Sequence, residues 1–372
     1  MATGSVRSRN SRYQARFRGD HGTETSRTFA RKGDAERWLN DQLARLNRGE
    51  WVDPAAGRLT FGQYASQWLG QQPHRPSTAA ATTSRLRCHL LPLLADRPLG
   101  SLRPSEIKAL VATLSRTLSP TTVEAVYRLL ATILRSAVDD RHIASTPCRG
   151  VTLPRPDGRR VEPLRGDEVA AIVDAMQPNL RAAAVAAAGL GLRQGELFGL
   201  TVDRVDWLRR SVRVDRQLVT VAGVPPHLGP CKTPASVRTI PAPATVLKAL
   251  TAHLQAHGEG PDRLLFSTRT ASPVRRNLAA EAWRRAATRA GLPGSTGWHE
   301  LRHFYASLLI EAGESVKVVQ ARLGHKSATE TLDTYGHLWP DNEEATRSAV
   351  DRLLGAALAA EHGAPRTSVP GR

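Results

Sequence analysis

Residues 145–163 hold Pro147, Pro154, Pro156, Pro163, Gly150 and Gly158 among the arginines Arg155, Arg159 and Arg160. Neither a helix nor the middle of a sheet can run through such a stretch, because proline has no N–H to donate and glycine loses the most backbone entropy on ordering. The chain must therefore fold as separate bodies on either side, joined by a basic linker placed at 151–163. Its 372 residues require such a division in any case, since a single hydrophobic core stops growing well below that length.

Composition narrows the class. With 41% hydrophobic and 23% charged residues the chain is globular, and its net charge of +18 points to a polyanionic partner such as nucleic acid. Only six of the 52 basic residues are lysine. Arginine suits bidentate phosphate contacts, although a GC-rich genome produces the same bias. The excess charge is spread along the chain, and a basic linker between two bodies suits a clamp closing round a duplex. Cys88, Cys148 and Cys231 are odd in number and form no C-x-x-C, which fits a reducing cytosol. Residues 1–18 lack the apolar run of a secretory signal, and the longest apolar run, Ala182–Leu192, is too short for a bilayer. The expected location is cytoplasmic and nucleoid-associated, with no membrane.

Along the chain, Arg12–Arg18 alternates with period two, placing Tyr13, Ala15 and Phe17 on one face and Gln14, Arg16 and Arg18 on the other. Gly19–Gly22 predicts a turn, residues 23–29 a second strand, and Asp34 to Gly49 a helix with Ala35, Trp38, Leu39, Leu43 and Leu46 in one stripe. The polar strand face is either a groove-reading surface or a solvated outer face. Residues 58–150 read as all helical. Thr60 and Gln63 fit a capping box, and helices are expected at 77–91, 104–115 and 120–139. Residues 164–360 read as mixed. Helices are expected at 166–176, 178–188, 243–256, 276–290, after 299 and at 341–359, with short strands at 205–207, 211–221 and 236–240. Residues 361–372 read as a disordered tail. The fold class is multidomain and mainly α with small β-sheets: a β-hairpin/helix domain at 1–57, an all-α domain at 58–150 and an α+β domain at 164–360.

The chemistry concentrates in His299-Glu-Leu-Arg302-His303, Leu323-Gly-His325 and Tyr335-Gly-His337. A helix starting near His299 puts His299, Arg302 and His303 on one face and Leu301, Phe304, Tyr305, Leu308 and Ala312 largely on another, with Gly313 as its stop. The His-Glu-x-x-His spacing also matches a zinc motif. A catalytic zinc needs a third ligand, however, and Ala306 and Leu309 stand where the extended pattern wants glycine and histidine. Arg302 would moreover set a cation beside the metal, so no metal is assigned. A phosphate site uses more of the chain. A phosphodiester under attack needs its non-bridging oxygens neutralised, which paired arginines can do. Arg302 is one candidate, and Arg193, at the Gly-rich break 189–195 with Glu196 three residues on, is the other. Lys232 lies near a predicted turn and is a candidate proton donor, His325 a candidate anion ligand and Tyr335 a candidate nucleophile. Taken singly, each has a plain structural alternative: a surface ion pair, a solvated turn lysine, a capping histidine, a core tyrosine.

As a set, Gly-Leu-Arg193-x-x-Glu196, the turn Lys232, His299-x-x-Arg302-His303, Leu-Gly-His325 and Tyr335-x-His337 occur in the order found in the tyrosine recombinase (phage integrase) family, which this chain resembles over nearly its whole length. Residues 1–57, ending in Arg48-Gly-Glu-Trp-Val-Asp-Pro54, resemble an arm-type DNA-binding domain, residues 58–150 a core-type DNA-binding domain, and residues 164–360 a catalytic domain. The resemblance implies that Arg193 and Arg302 clamp the scissile phosphate while Tyr335 attacks it to form a 3′-phosphotyrosyl link. It further implies that Lys232 protonates the 5′-oxygen, His299 assists proton transfer with Tyr335 and His325 binds phosphate, with Glu196 and His303 in support. No cofactor is implied. The implied partners are double-stranded DNA attachment sites, three further copies in a homotetramer on DNA, a directionality factor and a DNA-bending host protein. Candidate DNA contacts are Gln14, Arg16, Arg18, Arg85, Arg87, Arg155, Arg159 and Arg160. Phe304 departs from the small hydroxyl residue many relatives carry. The competing readings are a non-catalytic DNA-binding regulator derived from an integrase and, further off, a zinc metalloprotease.

Overall fold

The structure, a computed structural model, describes residues 3–19, 24–48, 51–53, 56–155, 158, 160–340 and 343–362. The chain divides into two compact units, Met1–Arg159 and Arg160–Arg372. Among the described residues no helix is long and apolar enough to cross a membrane.

The first unit contains two separate cores. One lies under an antiparallel three-stranded sheet of β1 (Thr3–Arg9), β2 (Arg12–Arg18) and β3 (Glu24–Phe29), with β2 central. The alternation of β2 holds: Ala15 and Phe17 are fully buried against Ala35 and Leu39 of α1 (Lys32–Asn47) and against Trp51. The sequence reading of a two-stranded hairpin is corrected by β1, whose only large apolar residue is Val6 and which therefore shows no period-two signal. Gly4 lets β1 approach α1, since a Cβ there would come within 2.3 Å of Leu39 Cδ1. The expected turn at 20–22 and Gly49 lie outside the described residues.

The other core is helical, from α2 (Phe61–Gly70), α3 (Pro76–Arg85), α4 (Leu91–Leu94), α5 (Pro104–Leu114) and α6 (Pro120–Asp139). The Thr60–Gln63 capping box forms as expected and opens α2. One apolar stripe of α2, Phe61, Tyr64, Ala65 and Trp68, is buried against Val126, Leu130, Ile133 and Leu134 of α6 and their neighbours. Tyr64 Oη donates to Asp140 Oδ2 at 2.6 Å, and Trp68 Nε1 donates to Ser136 Oγ at 3.1 Å. The helix expected at 77–91 is interrupted by a π turn, Leu86–Leu90, before α4. Arg85 and Arg87 fall at the start of that turn, Arg85 half-buried and Arg87 exposed.

The second unit begins with α7 (Gly166–Ala175), α8 (Pro178–Leu190) and α9 (Gln194–Phe198). Strands β4 (Val205–Asp206), β5 (Ser211–Val214), β6 (Arg216–Val219), β7 (His227–Pro230) and β8 (Arg238–Pro241) follow. The single strand expected at 211–221 is two strands in two sheets, β4-β5-β8 and β6-β7. The break is at Asp215, whose carboxylate accepts from Arg204 Nε at 2.9 Å and Arg216 Nε at 2.9 Å. Then come α10 (Ala244–His257), α11 (Arg276–Arg289), α12 (His299–Glu311), α13 (Val316–Leu323), α14 (Ala328–Tyr335) and α15 (Glu343–His362). Leu301, Tyr305, Ala306 and Ile310 make the buried side of α12; Leu308 and Ala312, expected there, are exposed. Helix α15 continues through Glu361 and His362, which were expected in the tail, and residues 363–372 lie outside the described residues.

Candidate active site

Two helix ends build the centre of the second unit. Helix α8 stops because Gly191 takes a left-handed conformation, φ +61°, which releases its carbonyl from the helix. Helix α13 stops the same way at Gly324, φ +67°. Carbonyls at helix C-termini carry partial negative charge and attract cations. Arg302 uses both ends: Nη1 donates to Gly191 O and Nη2 to Leu323 O, each at 2.7 Å. Arg193 Nη2 donates to Gly324 O at 3.0 Å. Arg302 thus bridges both helix ends, and the guanidinium of Arg193, 109 positions earlier in sequence, is tied to the end of α13.

Arg302 is 2% exposed. Burial, reinforced by the Arg193 charge, pushes it down to about 9, so it remains cationic at neutral pH. Arg193 Nη1 also donates to Glu196 Oε1 at 3.0 Å and to Ser236 Oγ at 3.2 Å. Glu196 is buried; burial works against its charge, but Arg238, Arg193 and the Arg193 N–H outweigh it and hold the carboxyl below its ordinary value. Arg238 escaped the sequence reading. It donates to Glu196 Oε2 at 2.9 Å, Arg322 O at 2.7 Å and Ser236 O at 2.9 Å. The available signal was period two in β8: Arg238 shares a strand face with Ile240, which is fully buried.

The remaining candidates converge from α12 and α14. Tyr335 closes α14, is 1% exposed, and its hydroxyl lies 2.8 Å from His303 Nδ1. Burial raises the phenol to about 12, against the pull of Arg302. Burial lowers His303 to about 4, helped by His299 and Arg302. The resemblance gives His299 a part in proton transfer with Tyr335; the hydrogen-bond contact of the Tyr335 hydroxyl is to His303. His299 is exposed and stands edge-on to the His303 ring at 4.6 Å, its pKa lowered by partial burial and then by Arg302 and Arg193. His325 is buried, its ring parallel to that of Tyr335 at 6.3 Å, and its Nδ1 lies 2.8 Å from Thr331 Oγ1. Burial, with Arg302, lowers His325 to about 4. Lys232 is exposed on the β7–β8 connection, four residues before the Ser236 that accepts from Arg193. His337 sits on an exposed turn, its Nε2 2.9 Å from Val161 O.

The donor set suits an anion and a phenol nucleophile. Among the described residues no group of three or more His, Cys, Asp or Glu could hold a metal ion. His303 Nδ1, moreover, faces the Tyr335 hydroxyl.

Of the described candidate DNA contacts, all but Arg160 belong to the first unit. In the sheet of the first unit, Arg18 is exposed, Gln14 Nε2 donates to Ser26 Oγ at 3.3 Å and Arg16 pairs with Glu24 at 3.4 Å, so that face is partly self-satisfied. Arg155 and Arg160 are exposed; Arg159 lies outside the described residues.

Residues 162–341 match the model of the phage integrase family, and residues 2–48 match that of the phage integrase N-terminal domain. The chain is 33% identical to a putative prophage phiRv2 integrase of Mycobacterium tuberculosis over 94% of this chain and 95% of the relative. Its fold is similar to the Tn1549 transposon integrase in complex with a circular intermediate DNA, at 23% identity and TM-score 0.69, covering 79% of this chain and 99% of the other. It is also similar to a lambda integrase tetramer bound to a Holliday junction, at 19% identity and TM-score 0.59, covering 87% of this chain and 96% of the other. The chain belongs to the phage integrase family of tyrosine-type site-specific DNA recombinases.

Proposed function

We propose that the chain cuts and rejoins DNA at the attachment sites of a mobile element such as a prophage, through a 3′-phosphotyrosyl intermediate. The observation that carries this reading is the Tyr335 hydroxyl on His303, set in the same cluster as the Arg193 and Arg302 cations. A guanidinium has five N–H groups. Arg302 gives two of them to protein carbonyls, which leaves donors for a phosphate.

Arg193 and Arg302 neutralise the non-bridging oxygens, and Nε2 of His325 adds a hydrogen bond. Tyr335 Oη attacks phosphorus as His303 takes its proton, with His299 edge-on against the His303 ring. The P–O5′ bond breaks and the 5′-oxygen receives a proton from Lys232. Glu196 keeps Arg193 in place. The phosphotyrosyl bond retains the energy of the phosphodiester, so a 5′-hydroxyl from a partner strand reverses the step without ATP.

Residues 1–57 and 58–150 act as arm-type and core-type DNA-binding domains, 151–163 as the linker and 164–360 as the catalytic domain. The lambda integrase tetramer shares the fold, and four copies on two DNA sites is the assembly proposed here. Helix α15 exposes Val350, Leu353, Leu354 and Leu358, a stripe suited to docking on a neighbouring copy. The protein works in the cytoplasm, on the nucleoid, with a directionality factor and a DNA-bending protein as accessories.

The test is a nicked suicide substrate carrying the attachment site. A denaturation-resistant protein–DNA adduct is expected, absent in Tyr335→Phe and indifferent to chelator. No adduct on a site the protein demonstrably binds overturns the catalytic reading and leaves a DNA-binding regulator. Chelator-sensitive peptide hydrolysis would restore the metalloprotease.

A further inference from the structure

Thr331 was not among the candidate residues, yet it is fully buried with a hydroxyl 2.8 Å from His325 Nδ1. Among the described residues that imidazole nitrogen is the hydroxyl's only hydrogen-bond partner. A buried hydroxyl left without an acceptor for its proton is costly, whereas one that donates is satisfied. If His325 Nδ1 carried the proton instead, Nδ1 would donate and the Thr331 O–H would have nowhere to go. Hydrogen-bond accounting therefore decides a tautomer that heavy-atom positions alone leave open.

The consequence falls on the other ring nitrogen. A neutral imidazole has one N–H, and the partner of one nitrogen determines whether the other is a donor or an acceptor. His325 Nε2 makes no hydrogen bond to any described residue. With Nδ1 accepting from Thr331, Nε2 bears the proton and offers it to an anion. With the tautomer reversed, Nε2 would present a lone pair to a phosphate oxygen and repel it.

We propose that Thr331 is a positioning residue whose hydroxyl holds the proton of His325 on Nε2, making that imidazole a standing hydrogen-bond donor to the scissile phosphate. The phosphate half of this statement rests on the reading of His325 given above; the tautomer half does not. Thr331 lies one turn before Tyr335 on α14. The helix that carries the nucleophile thus also sets the protonation pattern of the anion ligand.

The test uses the full-length protein labelled with 15N-histidine, with the His325 signals assigned against a His325→Asn control. The Nε2–H tautomer is expected in wild type and in Thr331→Ser, which keeps the hydroxyl. Thr331→Val, nearly identical in shape, is expected to lose that single tautomer and to slow suicide-substrate cleavage about ten-fold, the low end for a group that orients another ligand. DNA affinity and thermal midpoint are measured alongside. A wild-type His325 protonated on Nδ1 overturns the proposal, as does an unchanged tautomer in Thr331→Val. A shifted tautomer with wild-type cleavage upholds the Thr331 assignment and instead removes His325 from the phosphate.

Discussion

The hydroxyl of Tyr335 lies 2.8 Å from Nδ1 of His303, and no other described residue accepts from it. The phenol therefore donates, and the imidazole that receives its hydrogen bond is placed to receive its proton. His299, in the first turn of the same helix, stands edge-on to His303, which in turn stands edge-on to Tyr335. General-base catalysis by a positioned side chain is worth roughly 100-fold or more. His303→Asn should lower single-turnover cleavage by that amount while leaving attachment-site affinity intact, and His299→Asn should cost less. A reversed order would return the base to His299.

Acid should loosen the second unit through His303 and His325. Burial holds His303 and His325 to about 4, against 6.5 when exposed. Between those values the unfolded chain binds protons that the folded one refuses, so stability falls as pH falls. The contribution is complete above about 6.5 and gone below about 4. Urea unfolding followed from pH 7 to 5 should show this slope, reduced in His303→Asn and His325→Asn. A slope untouched by both substitutions would place the sensitivity elsewhere.

How much of this was legible beforehand follows the range of the interactions. Helix α12, its polar trio and the capping box at Thr60 were readable because caps and 3.6-residue periodicity are local. Strand β1 was not, since Thr3–Arg9 pairs through its backbone and contributes one large apolar side chain. Strand β7 was not either, since His227–Pro230 has one large apolar residue and two residues disfavoured in strands, Gly229 and Pro230. Arg193 and Arg302 could be named from sequence, but their anchoring to the ends of α8 and α13 could not. Which of His299 and His303 meets the Tyr335 hydroxyl was hidden for a related reason: both lie on one helix face, and only the arrival of α14 separates them. Arg238 and Thr331 act through buried pairings 42 and 6 residues away, with no pattern of their own.

DNA binding should be strongly salt-dependent if exposed arginines such as Arg18, Arg87, Arg155 and Arg160 meet phosphates. With on the order of six to ten phosphate contacts, affinity falls roughly 10³- to 10⁵-fold between about 50 and 200 mM salt. Fluorescence anisotropy on a labelled attachment site measures the slope, and Arg18→Ala should reduce it. A flat dependence contradicts a clamp built on charge.

Gly191 carries two demands at once. Its φ of +61° costs a residue with a Cβ about 1–2 kcal/mol. A Cβ there would also come within 2.3 Å of Tyr305 Cδ1 in the packed core. Gly191→Ala should therefore lose at least about 2 kcal/mol and, by moving the Gly191 carbonyl, misplace Arg302 as well. Calorimetry and cleavage should fall together; a stable but inactive variant would show the second effect alone.

Arg238 should prove as costly to remove as any residue of the cluster. Its guanidinium shares the Glu196 carboxylate with Arg193 and ties it to the last turn of α13 and to the connection that carries Lys232. Arg238→Met keeps the apolar stem but leaves Glu196 buried with one cation instead of two. Deleting one partner of a buried ion pair costs about 3–5 kcal/mol, because the surviving charge stays desolvated. Glu196→Gln in the same background removes that surviving charge, so the double variant should recover part of the loss. A double-mutant cycle in urea measures the coupling. If the two losses simply add, Arg238 acts through its bonds to Arg322 and Ser236 rather than through Glu196. Strong coupling would mean that Arg193 is held by a carboxylate that is itself held by Arg238.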